Sequence, residues 1–378
     1  MKKFVCSVLC LIFLCSPILT VRAANKADKP KISAEAYILY CTDNGQIICS
    51  KNENKRMKPA STTKIMTSLI ALEQASAANK EVTFTNEMAA EGSSMYLKAG
   101  DKVTLADLAS GMMMASGNDA ANAAAITISG GFEKFSKLMN ERAKQIGMSN
   151  THFVTPSGLD DDNHYSTAYD MALLMSFALE NEDFSKLTSQ KSAAVSFLNP
   201  ASKKTTYANH NRLLSMYEYC IGGKTGYTKA AGRCLVSAAK KDGLTLVCVT
   251  LNDRNDWNDH TALYEYGFDK YSYYQTEDAL FCAEMPCVGG DSSKTEIMGE
   301  KSGGFVILTE DKNRVVRKVY APQFLYAPVK QNDIAGRIDY ILDNNVVYST
   351  NLIAANAVSL KKEDKSIFTI IKELFTYG

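Results

Sequence analysis

What most constrains this chain is where its apolar period changes. Two apolar runs, residues 36–41 and 46–49, flank Asn44-Gly45, a strong short-range hairpin signal. After Lys58-Pro59-Ala60 the period becomes helical: Ile65, Met66, Leu69, Ile70 and Leu72 share one face. Thr104-x-x-Asp107 resembles a capping box opening a helix over 105–114, and further helices are predicted over 120–128 and 132–146. Between 222 and 251 the period drops to two. Three strands, 222–227, 234–239 and 244–251, follow one another, the second turn being Asp242-Gly243. Residues 32–272 therefore read as one α+β unit, helices on an antiparallel sheet built from both ends of the segment.

Residues 275–358 carry short apolar runs (305–308, 315–316, 319–320, 338–342, 346–348) separated by Gly, Asn and Asp, and predict a small all-β domain. At 365–378, Ile367, Phe368, Ile370, Ile371, Leu374 and Phe375 fall on one face of a short helix, with Lys361 and Lys362 just before it. Residues 361–378 thus read as an amphipathic helix that lies in a bilayer interface without crossing it. At the other end, Lys2-Lys3, the apolar run 4–15 and Val21-Arg22-Ala23 form a cleavable export signal over 1–23, followed by a polar linker over 24–31. The predicted location is outside the cytoplasm: at the outer face of a bacterial cytoplasmic membrane as a peripheral protein, or secreted.

The formal charge is +1. Residues 1–23 hold three bases and no acid, so the mature chain carries 39 bases against 41 acids, a net of −2. No global basic field argues for nucleic acid. Seven cysteines remain beyond the signal, an odd number, and buried free thiols are expected for most. His152, His164, His210 and His260 are scattered and no zinc spacing occurs, so neither a metal nor a cofactor is expected.

The chemistry lies in three short motifs. Ser61-x-x-Lys64 at a helix start puts hydroxyl and amine on one face about a turn apart. Lysine serves as a base for serine only if burial and a neighbouring cation lower its pKa from ~10.4. A serine at a helix N-terminus also has free backbone N–H groups beside it for an oxyanion. The same short patterns recur at Ser237…Lys240, Ser359…Lys362, Ser50-Lys51-Asn52 and Lys301-Ser302-Gly303. Only Ser61…Lys64, Ser116-Gly117-Asn118 and Lys224-Thr225-Gly226 place S-x-x-K at a helix start, S-x-N between two helices and K-T-G on a strand.

That trio resembles the penicilloyl-serine transferases, a motif set shared by β-lactamases and penicillin-binding proteins. The segments Lys58-Pro59-Ala60-Ser61-Thr62-Thr63-Lys64-Ile65-Met66-Thr67, Thr155-Pro156-Ser157-Gly158-Leu159, His164-Tyr165-Ser166-Thr167-Ala168-Tyr169-Asp170 and Gly223-Lys224-Thr225-Gly226-Tyr227-Thr228 are similar to the serine-type D-alanyl-D-alanine carboxypeptidases, the low-molecular-mass penicillin-binding proteins. The resemblance runs from about residue 32 to 360. It implies a penicillin-binding, β-lactamase-like transpeptidase domain acting on peptidoglycan stem peptides that end in D-Ala-D-Ala, with β-lactams as covalent inhibitors. Catalytic roles would fall to Ser61 as nucleophile, Lys64 as base and Ser116 as proton relay. Asn118, Lys224, Thr225, Gly226, Tyr227, Thr228 and Arg254 would bind substrate, Thr225 taking the terminal carboxylate. The N–H groups of Ser61 and Tyr227 would form the oxyanion hole.

Three rivals share these residues: a β-lactamase, an endopeptidase and a catalytically silent wall-binding scaffold. A class A β-lactamase needs a glutamate between the second and third motifs to activate the deacylating water. Residues 155–180 contain only Glu180, in a helical pattern, and no E-x-x-L-N.

Overall fold

The computed structural model describes residues 29–362. The predicted export signal and terminal amphipathic helix lie outside the described residues. Among the described residues no helix is long and apolar enough to cross a membrane.

The first unit is built on a five-stranded antiparallel sheet. β1 (Ala36–Cys41) and β2 (Ile47–Lys51) form the predicted hairpin. Its connection is longer than a two-residue turn: only Gly45, at φ +73°, is left-handed. The chain then passes through a 3-10 turn, Ala60–Thr63, into α1 (Lys64–Ala77). Next come the small ribbon of β3 (Glu81–Thr83) and β4 (Lys102–Thr104), then α2 (Leu105–Met114), α3 (Asn118–Ser129) and α4 (Phe132–Ile146). Thr104 and Asp107 make the predicted capping box: Asp107 N–H donates to Thr104 Oγ1 and Thr104 N–H to Asp107 Oδ2. Then follow α5 (Ala168–Leu179), α6 (Glu182–Thr188), the ribbon β5 (Ser192–Ser196)–β6 (Lys204–Ala208) and α7 (Leu213–Met216).

The meander closes the sheet with β7 (Cys220–Thr228), β8 (Gly232–Lys241) and β9 (Leu244–Leu251), giving the order β2-β1-β9-β8-β7. Asp242 at φ +48° and Gly243 at φ +88° form the two-residue turn, whose twist matches that of paired strands. β1 pairs with β9, so the sheet does join the two ends of the segment, and β7 is left at an edge.

Helices cover both faces. Ile38, Val236, Val247 and Val249 pack with α1, α2 and α5 on one side. Leu39, Leu235 and Cys248 pack with Leu263 and Tyr264 of α8 (Asp256–Lys270) on the other. A fully buried Leu or Ile contributes roughly 1.5–3 kcal/mol, so this double burial is a principal source of stability. On the α8 side Ser237 Oγ bonds His260 Nδ1 (2.7 Å) and Tyr264 OH (2.7 Å), which makes Ser237…Lys240 part of the core. The seven described cysteines are all free thiols.

The second unit is all β. β10 (Tyr271–Gln275) pairs with β13 (Gly304–Leu308) in a ribbon between the two units. Tyr271, Tyr273 and Val306 pack against the first unit and Tyr274 and Phe305 against the second. A six-stranded sheet contains β11 (Cys282–Val288), β12 (Lys294–Gly299), β14 (Val316–Tyr320), β15 (Leu325–Tyr326), β16 (Ile334–Leu342) and β17 (Asn345–Ala354), in the order β14-β16-β17-β12-β11-β15. The runs 315–316 and 319–320 merge into one strand, β14, which begins at Val316. β11 and β12 were not evident from the apolar pattern.

Candidate active site

Ser61 sits on the 3-10 turn, one position past Ala60, which is held at φ +49°. No side chain caps this turn or α1. The turn's first hydrogen bond runs from Thr62 N to Pro59 O, which leaves the Ser61 N–H ahead of the ladder. The neighbouring segment 155–159 presses directly on it. A Cβ at Gly158, φ +81°, would lie 1.9 Å from Ala60 O, so only glycine fits there. A Cβ at Gly226 would lie 3.0 Å from Ser61 N, which shows how closely the edge strand β7 approaches the turn.

Lys64 is wholly buried. Its Nζ is 3.0 Å from Ser61 Oγ, 2.6 Å from Asn118 Oδ1 and 2.7 Å from Ser157 O. Burial, and then the charge of Lys224, push its pKa well below the usual lysine value, with Asp119 opposing. A neutral amine has two N–H donors and one lone pair. Asn118 Oδ1 and Ser157 O take the donors, and the lone pair is left for the Ser61 hydroxyl. Lys224, also buried, donates to Ser116 Oγ (3.0 Å) and Thr225 O (2.8 Å), and burial lowers its pKa to about 7.

Ser116 lies between α2 and α3 at φ +57°, and Asn118 opens α3 with its side-chain N–H donating to Glu91 O (2.6 Å). Thr225, Gly226 and Tyr227 of β7 line a cavity of about 300 Å³ with Ser61 and Ser116. Thr228 lies just beyond, where its hydroxyl donates to Asp160 Oδ1 (2.9 Å).

Two expectations need revision. Arg254 is exposed, makes no ion pair among the described residues and does not line this cavity. The cavity's arginine is Arg233, opposite Tyr227 in the β7–β8 register. Its Nε and Nη2 grip buried Asp256 at 2.6–3.2 Å, and its guanidinium lies over Trp257. Among the described residues this leaves both Nη1 protons for a ligand. No local pattern marks it, because its partner is 23 residues away. His164, given no duty from sequence, is a positioning residue. Its Nδ1 accepts from Val154 N and Thr155 N, so its Nε2–H donates to Thr63 Oγ1 (2.9 Å). Burial pulls its pKa down to about 4, so it stays neutral. His210 also lines the cavity. Glu180 ends α5 and borders a separate cavity with Lys186 and Lys240.

A serine hydroxyl facing a buried lysine of strongly lowered pKa, with a second buried lysine bonded to Ser116 of the same cavity, is suited to acyl transfer. Residues 23–255 match the family model described as D-alanyl-D-alanine carboxypeptidase. The chain belongs to that family. Residues 268–360 match a second model, the C-terminal domain of penicillin-binding protein 5. Among similar proteins, the D-alanyl-D-alanine carboxypeptidase DacF of Bacillus subtilis is 33% identical over 337 residues, covering 85% of each chain. DacC of Escherichia coli is 32% identical over 371 residues, 92% of this chain and 89% of that one. The crystal structure of penicillin-binding protein 5 from Haemophilus influenzae superposes with a TM-score of 0.68 at 30% identity, over 88% of this chain and 99% of that one. This member of the carboxypeptidase family is a serine-type enzyme with the two-unit architecture of that structure.

Proposed function

We propose that this chain removes the terminal D-alanine from peptidoglycan stem pentapeptides through an acyl-enzyme on Ser61. The observation that carries the reading is the wholly buried Lys64 amine 3.0 Å from Ser61 Oγ, with Lys224 lowering its proton affinity. Lys64 takes the hydroxyl proton as Ser61 attacks the carbonyl between the two D-alanines. The Ser61 and Tyr227 N–H groups hold the oxyanion, each such donor being worth ~3 kcal/mol in the transition state. Ser116, bonded to Lys224, passes a proton to the leaving amine, and water then hydrolyses the ester. An extended peptide fits the free edge of β7 as an added strand. Thr225 and the free Nη1 of Arg233 receive its terminal carboxylate, with Thr228 shaping the end of that strand. The terminal helix predicted at 361–378 would hold the enzyme at the outer membrane face.

The test is release of D-alanine from a linear pentapeptide ending in D-Ala-D-Ala, beside a crosslinked muropeptide. The expected result is rapid release from the linear peptide and little cleavage of the crosslink. No release from the linear peptide would sink the carboxypeptidase reading, and preference for the crosslink would favour an endopeptidase. For Arg233, the Arg233→Gln variant should raise KM about tenfold for a free carboxylate terminus and hardly at all for the carboxamide analogue. Equal losses on both substrates would remove Arg233 from carboxylate recognition.

A further inference from the structure

Among the described residues, nine that are not glycine have φ in the left-handed region. Six are Asn or Asp, whose short polar side chains tolerate it. The other three are Ala60, Ser116 and Tyr96. Ala60 immediately precedes the nucleophile and Ser116 lines its cavity, so in both the strain serves the site. Tyr96 is a bulky residue for which this conformation is a true outlier, and the residue is 78% exposed.

The loop that carries Tyr96 is rigidly held. Its Ser93 lines the Ser61 cavity, and Ser93 O accepts from Asn118 N (2.8 Å). Buried Asp119, next to Asn118, accepts from Ser94 Oγ (2.7 Å), Met95 N (2.8 Å) and Leu97 N (3.1 Å). Tyr96 N donates to Ser94 Oγ, and Met95 O accepts from Tyr207 OH (2.8 Å). Met95 is packed so closely against the Ser116-Gly117-Asn118 turn that a Cβ at Gly117 would lie 3.0 Å from Met95 N. The Ser94 hydroxyl and the N–H groups of Met95, Tyr96 and Leu97 are thus used by the fold, whereas the Tyr96 side chain makes no hydrogen bond among the described residues. Glycine or asparagine would satisfy the same backbone with less strain and no exposed apolar surface.

We propose that Tyr96 is a specificity-determining residue, its ring forming the outer wall of the groove for the acyl side of the substrate, the part of the stem peptide N-terminal to the scissile bond. Resting on the carboxypeptidase reading, the direction follows from the walls. Thr225, Arg233 and Trp257 line the cavity together with Ser93 of the Tyr96 loop. With the carboxylate on Thr225 and Arg233, the rest of the peptide would leave between the free edge of β7 and that loop. Exposed Tyr227, on β7, lines the same cavity as Ser93 of that loop. Two aromatic rings offer flat apolar surface to the backbone and the aliphatic parts of the side chains of an extended peptide.

Steady-state kinetics of Tyr96→Gly and Tyr96→Phe on two substrates test this: the full pentapeptide and an acetylated D-Ala-D-Ala dipeptide lacking the upstream residues. Tyr96→Gly is expected to raise KM for the pentapeptide about tenfold with kcat within about twofold, and to leave the dipeptide unchanged. Tyr96→Phe should behave as wild type. The melting temperature of Tyr96→Gly should not fall, because its backbone is relieved of strain. An unchanged pentapeptide KM in Tyr96→Gly, or equal losses on both substrates, would overturn the proposal. If the wild type hydrolyses neither substrate, the carboxypeptidase reading fails by itself. The inference is then read from acylation of Ser61 by a penicillin with a bulky acyl side chain against 6-aminopenicillanic acid, where Tyr96→Gly must slow the first selectively or the inference falls too.

Discussion

Replacing Lys64 with methionine is expected to slow acylation of Ser61 by about 10⁴-fold, the upper range for loss of a positioned general base. Methionine matches the lysine stem in length and apolar character, so the buried channel between α1 and the 155–159 segment stays filled. The amine itself is lost, and with it the nitrogen that meets Ser61 Oγ, Asn118 Oδ1 and Ser157 O together. Lys64→Arg should not rescue, since a guanidinium cannot be deprotonated in this range. Ser61→Ala should abolish both D-alanine release and the covalent penicillin adduct, which sets the floor of the assay. The measurement is the mass shift of the intact protein after timed exposure to penicillin, checked against the melting temperature of each variant. In the wild type the adduct should persist, because Glu180, the only glutamate in the segment where a class A β-lactamase carries its deacylating base, borders another cavity. Acylation of Lys64→Met within tenfold of wild type would remove Lys64 from the base role. Rapid penicillin turnover by the wild type would make the protein a β-lactamase.

The parts of this fold that could be read from sequence are those with a local period. The meander of β7, β8 and β9 was legible because alternating apolar residues and Asp242-Gly243 specify it within 32 residues. α2 announced itself through Thr104 and Asp107. α8 was obscured because Asp256, Asp259 and His260 look like a solvated stretch. They are buried with partners from distant segments: Arg233 for Asp256, Ser33 for Asp259 and Ser237 for His260. β11 was missed for a related reason, because only Met285 and Cys287 of its seven residues are buried. The site divides in the same way. Ser61, Lys64, Ser116, Asn118 and Lys224 belong to short motifs whose order and context single them out, and the fold brings all five together. Arg233 and Tyr96 carry no such mark. One is defined by a partner on another element and the other by a backbone angle, neither of which a linear pattern encodes.

The same burial that makes Lys64 a base gives Lys224 opposite effects on activity and stability, and pH separates them. Burial lowers Lys224 to about 7 from an ordinary 10.5, so the free enzyme holds a cation there below about pH 7 and loses it above. An anionic peptide terminus is attracted to the charged form, so kcat/KM should fall as pH rises through about 7. Bound carboxylate favours the charged form, so the corresponding limb of kcat should lie at higher pH. In Lys224→Met the falling limb of kcat/KM should vanish, with an overall loss of about 10³-fold at pH 6.5, the scale of one charge-assisted contact made in a dry site. The rising limb should also move up, because Lys224 is one of the two causes that hold Lys64 down. Stability runs the other way. Between about 7 and 10.5 the unfolded chain binds a proton that the folded chain does not, so wild-type stability rises with pH across that window and is lowest below it. Methionine carries no such cost, so Lys224→Met should melt higher than wild type at pH 6.5 while being far less active. A falling limb that persists in Lys224→Met, or a variant less stable than wild type at pH 6.5, would show that Lys224 is not the group that titrates.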